Sequence, residues 1–276
     1  MKAPPSRTVN PIVETYSRLA DHYDDERNVR SCWGQASDTA LTLLHPKADA
    51  RLILDAGCGT GRALATLARN APPGVRFVGI DPADNMRKLA VRRLRPFPNV
   101  RIQDGSFESI GLDTGSVDYL FSIMAFHWTT DPDAAVTEIR RVLTPVADVD
   151  LFFIGRHNGR EFIQQTTPIF MKHMGPALLL ESARMRKQLT KDEAYQLFTK
   201  AFRASELSID ESYHTYHDTL EGHWGWWVRI EGQFMQIPPA RKEACDREVK
   251  DALARLAEPA GIPYTIHQLH VKVRRR

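Results

Sequence analysis

Three glycines at alternate positions form the stretch of the sequence with the clearest chemical meaning. They lie in the run Asp55-Ala56-Gly57-Cys58-Gly59-Thr60-Gly61, between an apolar segment and a segment with helical periodicity. Glycine allows a positive φ and lets a ligand lie against bare main chain, and the first N–H groups of the following helix attract an anionic group. The pattern predicts a strand, a ligand-binding turn and a helix, with a ligand that carries a carboxylate or phosphate. The alternative is a glycine turn that connects the strand to the helix and binds no ligand.

The spacing of the glycines excludes two familiar nucleotide motifs. The dinucleotide fingerprint G-x-G-x-x-G would place its third glycine at Arg62, and the phosphate loop G-x-x-x-x-G-K-[ST] is absent. A second apolar segment at 75–80 leads directly into Asp81. A carboxylate at the end of the neighbouring strand can accept hydrogen bonds from both hydroxyls of a ribose.

The motif D-x-G-x-G-x-G followed by Asp81 resembles the class I S-adenosylmethionine-dependent methyltransferases. The resemblance implies an α/β fold, a doubly wound seven-stranded Rossmann-like sheet with a helical cap. It also implies that S-adenosyl-L-methionine is the cofactor and S-adenosyl-L-homocysteine the product. The implied cofactor-binding residues are Asp55, Gly57, Cys58, Gly59 and Gly61 for the methionine part, Asp81 and Pro82 for the ribose, Met86, Asp104, Gly105, Ser106 and Phe107 for the adenine, and Ser122 and Met124 after the fourth strand.

The segment from Tyr16 to Asp24 resembles the "Y-x-x-x-A-x-x-Y-D" entry segment of many of these enzymes. Apolar positions from Ile12 onward recur at helical spacing. The resemblance implies that Tyr23 hydrogen-bonds near the methionine end of the cofactor and that Tyr16 forms a wall of the acceptor pocket. The alternative is that both tyrosines only pack a helix onto the core.

The fourth strand, predicted at 117–123, ends near His127 and Trp128, and Asp131-Pro132 then opens a helix. This order resembles trans-aconitate methyltransferase and the malonyl-acyl-carrier-protein carboxyl methyltransferase, and it implies that His127 and Trp128 border the acceptor. His127 is the first candidate for a general base, with Tyr16 or Tyr23 orienting the acceptor, although a structural histidine is the commoner case. Where the family has a glycine-rich turn before the fifth strand, this chain has residues 144–148, and we expect Pro145 to turn the chain.

We predict one methyltransferase domain over residues 1–276. Its core spans about 36–155, 205–219 and 262–273, and its cap spans about 10–35, 156–204 and 220–260, with further strands at 149–154, 207–216 and 264–273. Trp224 and Trp227 lie in a tryptophan cluster that suits an apolar or aromatic acceptor. A lid helix packed onto the core is the alternative.

Composition narrows the class of partner. The net charge is +3, with no appended basic module, so we expect no nucleic acid partner, and no apolar run suits a membrane span or signal peptide. The three cysteines have no metal-like spacing, and the cytoplasm is the expected compartment.

Three functions stay open: methylation of a small-molecule acceptor, carboxyl methylation of a carrier-protein thioester, and binding of the cofactor without catalysis. A basic patch at Arg184, Arg186 and Lys187 would serve the second. The acceptor, the methylated atom and the oligomeric state do not follow from the sequence.

Overall fold

A seven-stranded mixed sheet forms the centre of the molecule. The computed structural model describes residues 11–23, 29–185, 187–226 and 235–275. The strands are β1 (Leu52–Ala56), β2 (Arg76–Ile80), β3 (Val100–Gln103), β4 (Val117–Ile123), β5 (Leu143–Ile154), β6 (Leu207–Asp218) and β7 (Ile262–Arg274). Their order in the sheet is β3-β2-β1-β4-β5-β7-β6, and β7 runs antiparallel to both of its neighbours. This confirms the predicted doubly wound, seven-stranded Rossmann-like fold.

Helices cover both faces of the sheet. They are α1 (Pro11–Tyr23), α2 (Cys32–Thr42), α3 (Arg62–Arg69), α4 (Asp84–Leu94), α5 (Pro132–Val142), α6 (Arg160–Arg184), α7 (Lys191–Phe198), α8 (Leu220–Trp226) and α9 (Pro239–Ala254). Successive residues of a strand point to opposite faces, so Ile53 packs with α2, α3 and α4 while Leu54 packs with α5 and α7. The sheet is therefore buried on both sides, as its continuous apolar strands require. No helix in the described part of the chain is long and apolar enough to cross a bilayer.

Two helix starts show how local sequence sets the element boundaries. Asp131 caps α5 by accepting the Ala134 amide at 3.0 Å, with Pro132 in the first helical position as predicted. At α4, the assignment of Asp84 as the N-cap would be wrong, because Asp84 is already the first helical residue and Ala83 holds the N-cap position. Asp81 Oδ1 instead accepts the Ala83 amide, 2.8 Å away, just before the helix begins.

The predicted turn at 144–148 is also wrong, because these residues belong to β5. The pairing with β4 jumps from Val117–Leu143 to Tyr119–Asp148, so the segment forms a bulge inside the strand. Lys47 Nζ donates to the Val146 carbonyl at 2.7 Å and helps to hold the bulge. The bulge lies at the start of β5, far along the strand from its carboxyl end.

The predicted helical segment after the fifth strand is present as α6 and α7. Helix α6 contains a kink at Gly175, which has φ 76° and precedes Pro176. Helix α9 packs against α6, and Cys245, Val249 and Leu253 of α9 lie in the same apolar cluster as Phe162. The division of the chain into a core and a cap stays our interpretation of this arrangement.

Candidate functional site

Two adjoining cavities lie at the carboxyl ends of β1 to β4. The larger measures about 650 Å³ and the smaller about 190 Å³. Both cavities share the residues Tyr16, Tyr23, Gly57, Gly59, Ile123, Met124 and Trp128 in their linings. A ligand in one cavity therefore contacts residues that also line the other cavity. Both cavities lie at the carboxyl ends of the strands, where parallel α/β sheets bind their ligands.

The glycine turn is anchored to the end of β2. The amides of Gly57 and Cys58 donate to the Ile80 carbonyl at 2.8 and 2.9 Å. Gly57 has φ +79°, and a Cβ built there would lie 2.4 Å from the Ala125 Cβ. Glycine is thus required at position 57 both for its backbone conformation and for close approach of the chain after β4.

Gly61 has a different structural role from Gly57 and Gly59. It precedes α3 with φ +76°, and a Cβ there would lie 2.7 Å from Leu94 Cδ1. The described lining of neither cavity includes Gly61. Its position indicates that it allows α3 to pack against α4 and leaves the lining of the cavities to Gly57 and Gly59.

Asp81 connects the glycine turn to the second strand. Its Oδ2 accepts the Gly59 amide at 2.9 Å and its Oδ1 accepts the Ala83 amide at 2.8 Å. Asp81 and the following Pro82 line the larger cavity. Burial raises the pKa of the Asp81 carboxyl in spite of these two amide bonds, which act in the opposite direction.

Asp55, at the end of β1, is almost fully buried and lines the smaller cavity. Burial, followed by the nearby charge of Asp81, raises the pKa of its carboxyl well above the usual value. A carboxylate in such surroundings is stabilised by a cation placed beside it. The two acids thus give the floor of the site a preference for a ligand with a positive group near Asp55.

The predicted adenine-binding residues lie together at the far end of the larger cavity. The lining there includes Met86, Asp104, Gly105, Ser106 and Phe107. Arg87 pairs with Asp104 at 3.0 Å and donates to the Asp81 main-chain carbonyl at 2.7 Å, which ties the ends of β2 and β3 to each other. Phe107 packs edge to face on Phe126 with ring centres 5.2 Å apart, so the core holds its ring in place.

His127 and Trp128 lie in the short 3₁₀ turn after β4, and both line the smaller cavity. The Ile154 amide donates to His127 Nδ1 over 3.5 Å, a long bond. With Nδ1 as acceptor, the neutral imidazole carries its proton on Nε2. The ring in this state donates a hydrogen bond through Nε2.

Helix α1 lies over the shared wall of the two cavities. The Tyr16 ring packs edge to face on Tyr23 and Trp128, with centres 6.0 and 6.1 Å apart. The helix is held on α4 because Asn85 Nδ2 donates to the Ser17 carbonyl at 2.9 Å. Tyr16 and Tyr23 thus pack helix α1 onto the rest of the protein, and they also line both cavities.

Many residues of the smaller cavity were not predicted from the sequence. Those from elements distant in the chain include Trp33, Asn158, Gln188 and Tyr264. Trp33 comes from α2, Tyr264 from β7, and the other two from the segments that flank α6. The only sequence signal for them is the short run Gly155–Gly159, where two glycines flank polar residues directly after a buried strand.

Several predicted residues lie away from the cavities. The Ser122 hydroxyl is buried, has no hydrogen-bond partner within the described residues and lies outside both linings. Trp224 packs in the apolar cluster of α6 and α9 with Lys250 Nζ 5.8 Å from its ring, and it also lies outside both linings. Trp227 and Arg186 lie outside the described residues. Cys58 lines the smaller cavity, where burial raises the pKa of its thiol well above the usual value, so it is no activated nucleophile.

The sheet order and one stretch of the sequence support the resemblance to the class I methyltransferases. Residues 54–147 match the family model described as a methyltransferase domain.

Two curated relatives carry more specific names. The malonyl-[acyl-carrier protein] O-methyltransferase of Methylovorus sp. is 34% identical over 144 residues, which cover 49% of this chain and 46% of that protein. The trans-aconitate 2-methyltransferase of Deinococcus radiodurans is 30% identical over 125 residues, which cover 45% of each chain. The chain thus spans less than half of the length of these two relatives.

One solved structure shows the likeness of fold over nearly the whole chain. It is phosphoethanolamine N-methyltransferase 2 of Haemonchus contortus in complex with S-adenosyl-L-methionine, with a TM-score of 0.55 and 16% identity over 99% of this chain and 59% of that one. At this level of identity the likeness extends to the fold alone.

Proposed function

We propose that the protein is an S-adenosylmethionine-dependent methyltransferase that acts on a small-molecule acceptor. The observation that carries the proposal is the Gly59–Asp81 hydrogen bond at the junction of two cavities. It places a carboxylate suited to ribose hydroxyls next to a main-chain turn suited to the amino acid part of the cofactor. The larger cavity has room for a nucleoside, and the smaller cavity lies beyond the glycine turn.

The residues of the larger cavity fit the proposed cofactor part by part. Asp81 holds the ribose, while Asp104 and the amide-rich segment 105–107 face the adenine. Met86 is buried against Ala20 and Ala83 and offers an apolar surface to the ring. Asp55 lines the smaller cavity beside Gly57, and its carboxyl, whose pKa is raised, accepts a hydrogen bond from the positively charged amino group of the methionine part.

Bound S-adenosylmethionine supplies an electrophilic methyl carbon on its sulfonium. The protein then has to hold the acceptor atom in line with the carbon–sulfur bond that breaks, and orientation of this kind contributes about 7 to 11 kcal/mol. Tyr16, Tyr23 and Trp128 form the wall between the two cavities and exclude water from the line of transfer. The described part of the smaller cavity contains one guanidinium, Arg62, which is paired with Asp38 at 2.7 Å.

His127 has a more restricted role in this proposal than that of a free general base. Because its Nδ1 accepts the Ile154 amide, the neutral ring of His127 carries its proton on Nε2. His127 can take a proton from the acceptor only after the Nδ1 bond breaks and the tautomer changes. The geometry therefore favours an acceptor that is already nucleophilic when it binds.

Two other functions are weighed against this one. Carboxyl methylation of a carrier-protein thioester is favoured by the name of a relative that matches about half of the chain. It is not favoured by Arg62, because the charge of Arg62 is already paired with Asp38 and is less suited to an acidic acceptor. A cofactor-binding protein without catalysis would be expected to have a blocked acceptor cavity or to lack the ribose acid. The open smaller cavity and the position of Asp81 therefore support catalysis.

The test is calorimetric titration of the purified protein with S-adenosylmethionine, S-adenosylhomocysteine and NAD. We expect the first two to bind and NAD to fail, and we expect Asp81→Ala to lose the binding. Asp118→Ala is the matched control, since Asp118 Oδ2 also accepts two amides, those of Arg51 and Leu52 at 2.9 and 3.0 Å, but at the opposite end of β1. Asp118→Ala should retain the affinity. Failure of both sulfur compounds to bind the folded protein would end the proposal, and transfer of a labelled methyl group to a panel of small acceptors would complete it.

A further inference from the structure

The loop 155–159 connects β5 to α6 and is held against β7 by main-chain hydrogen bonds. The Gly155 amide donates to the His267 carbonyl at 2.8 Å, and the Gly159 amide donates to the Thr265 carbonyl at 2.8 Å. A Cβ on Gly155 would overlap the His267 ring, so the close approach of the loop to β7 depends on glycine at this position. The loop is therefore fixed in place independently of a ligand.

His157, in the middle of this loop, forms a cluster with Glu211 and His267, and the ligand-type atoms of the three residues lie within 4.8 Å of one another. By residue type the cluster could hold a metal ion, but its hydrogen bonds argue against this use. The main-chain N–H of His157 donates to His267 Nδ1 at 3.0 Å, so the neutral ring carries its proton on Nε2 and donates it to Glu211 Oε1 at 2.9 Å. Nε2 is the nitrogen that would have to bind the metal. The cluster therefore adds one more hydrogen bond between the loop and β7.

The side-chain amide of Asn158 has one orientation in this loop. Its Oδ1 accepts the His267 main-chain amide at 3.2 Å, so Nδ2 is the atom that donates to the Tyr264 oxygen at 2.9 Å. The main-chain amide of Asn158 donates to the Gly155 carbonyl at 3.3 Å. A carboxamide nitrogen carries two hydrogens, and the second hydrogen of Nδ2 has no acceptor among the residues that the structure describes. Because the two N–H bonds diverge, this second hydrogen points away from the Tyr264 oxygen.

Asn158 lines the smaller cavity although only 4% of its surface is exposed. A buried N–H without an acceptor costs free energy, which a lone pair from a ligand recovers. The wall beside Asn158 is aromatic, since the Tyr264 ring packs edge to face on Trp33 with centres 5.5 Å apart and both rings line the cavity. The one guanidinium in the described lining, Arg62, already has its charge compensated by Asp38 at 2.7 Å. The cavity therefore suits a neutral planar ring that carries a hydrogen-bond acceptor.

We propose that Asn158 determines the acceptor specificity of the smaller cavity, and that its second Nδ2 hydrogen is donated to an oxygen or nitrogen lone pair of a small, neutral aromatic acceptor. Strand β7 positions the amide for this contact through the bonds to His267 and Tyr264. The inference deepens the proposed function and rests on it, because it takes the smaller cavity as the acceptor cavity.

The test uses three probes of similar shape on the protein saturated with S-adenosylhomocysteine. Acetophenone has a neutral carbonyl, α-methylstyrene has a CH₂ group in place of the oxygen, and benzoate has a charged carboxylate. Difference infrared spectroscopy of isotope-labelled acetophenone reports directly whether its carbonyl accepts a hydrogen bond. We expect the carbonyl stretch of acetophenone bound to the wild type to lie below its frequency in an apolar solvent. We expect benzoate to bind more weakly than acetophenone.

Three variants identify the donor. Asn158→Leu removes the amide without adding a charge, whereas Asn158→Asp in its ionised form keeps an oxygen for the His267 amide but offers no hydrogen to the cavity. Both variants should abolish the frequency shift, and their preference for acetophenone over α-methylstyrene should fall about two- to tenfold relative to the wild type, the range expected for one hydrogen bond. Tyr264→Phe should retain the shift, since the donor is Asn158. All three variants should bind S-adenosylhomocysteine as the wild type does.

An unshifted carbonyl in the wild type, or a shift that persists in either Asn158 variant, would overturn the inference while leaving the proposed function intact. Loss of the shift in a Tyr264→Phe protein that still binds S-adenosylhomocysteine would assign the donor to Tyr264 and would also overturn it. Failure of acetophenone to bind the saturated protein, or tighter binding of benzoate, would contradict the assigned acceptor class. Failure of the wild type to bind S-adenosylhomocysteine would instead contradict the proposed function itself.

Discussion

The amide of Gly59 donates to the carboxylate of Asp81 across 2.9 Å, and this bond joins the first and second strand ends into one binding surface. The two neighbouring glycines of the turn stand in different surroundings. A Cβ at Gly57 would meet Ala125, whereas a Cβ at Gly59 would meet nothing within 4 Å and would point into open space. This contrast gives a matched pair of variants.

We expect Gly57→Ala to destabilise the protein by about 2 to 5 kcal/mol, from left-handed backbone strain together with overpacking. Gly59→Ala should cost only the backbone strain of about 1 to 2 kcal/mol. It should nevertheless weaken S-adenosylhomocysteine binding by about tenfold or more, because its methyl group lies on the cavity floor. Thermal melting and calorimetry measure the two effects. Wild-type affinity in a folded Gly59→Ala protein would contradict the assigned binding surface.

Asp55 predicts a proton release on cofactor binding. Burial and the charge of Asp81 raise the pKa of its carboxyl in the ligand-free protein, and the ammonium group of the ligand lowers it again. Binding should therefore release at most about one proton at any pH at which this carboxyl is still partly protonated, and it should become tighter as the pH rises. Calorimetry in buffers of different ionisation enthalpy measures the release. Buffer-independent heats in the wild type would refute the prediction, and Asp55→Asn should show such heats.

The same carboxyl affects stability in the absence of ligand. The pKa of Asp55 is higher in the folded state than in the unfolded state. The folded protein therefore loses stability as the pH rises from the unfolded-state pKa through the folded-state pKa. Asp55→Asn removes this effect, so its melting temperature at pH 8 should equal or exceed that of the wild type. At pH 5 the difference should shrink. A lower melting temperature for the variant at pH 8 would show that the carboxylate is stabilised by groups that outweigh its burial.

Zinc provides a test of the tautomer of His267. Because the His157 amide donates to Nδ1, we expect zinc chloride to leave the melting temperature unchanged. His157→Ala keeps the main-chain donor, so it should behave like the wild type. A rise with zinc that disappears in His157→Ala would mean that the cluster binds metal and that the tautomer assignment is wrong.

Two tryptophans offer a comparison between a cavity wall and a packing contact. Trp33 lines the smaller cavity beside Tyr264, whereas Trp224 packs against α9 with Lys250 over its ring. Trp33→Phe should raise the KM for a small acceptor about two- to tenfold in the labelled-methyl assay, the range expected for an altered aromatic contact. Trp224→Phe should leave the KM for the same acceptor within twofold of the wild-type value. If Trp224→Phe had as large an effect as Trp33→Phe, Trp224 would have to contact the acceptor cavity, which would contradict this assignment.

That several residues at the carboxyl ends of β1 to β3 line the cavities could be predicted, because each of them follows an apolar strand in the sequence. Asp55, Gly57 and Asp81 are recognised by their distance from apolar runs, and the topology of a parallel sheet then brings the strand ends together. The bulge at 144–148 was missed because local residue preferences favour a turn, whereas Lys47 and Arg275 fix it from distant parts of the chain. Ser122 was assigned from the resemblance, but its side chain points into the core.

The acceptor side could not be predicted in the same way. Trp33, Asn158 and Tyr264 come from three separate elements, and no spacing in the sequence relates them. Their alignment depends on tertiary hydrogen bonds, such as that from the His267 amide to Asn158. The tryptophan cluster near residue 224 was predicted to bind the acceptor because of its composition, but Trp224, in its described part, packs in an apolar cluster instead.

The position of β7 has a consequence for the order in which the residues of the two cavities are synthesised. This strand is synthesised last but lies between β5 and β6, so β6 has no strand partner in the described sheet until residues 262–274 have left the ribosome. Gly57, Asp81 and Asp104 are translated much earlier, on strands that pair among themselves. Tyr264 arrives with β7 and completes the smaller cavity. All the described residues that line the larger cavity have thus been translated by Thr130, whereas the lining of the smaller cavity is complete only once Tyr264 has been added.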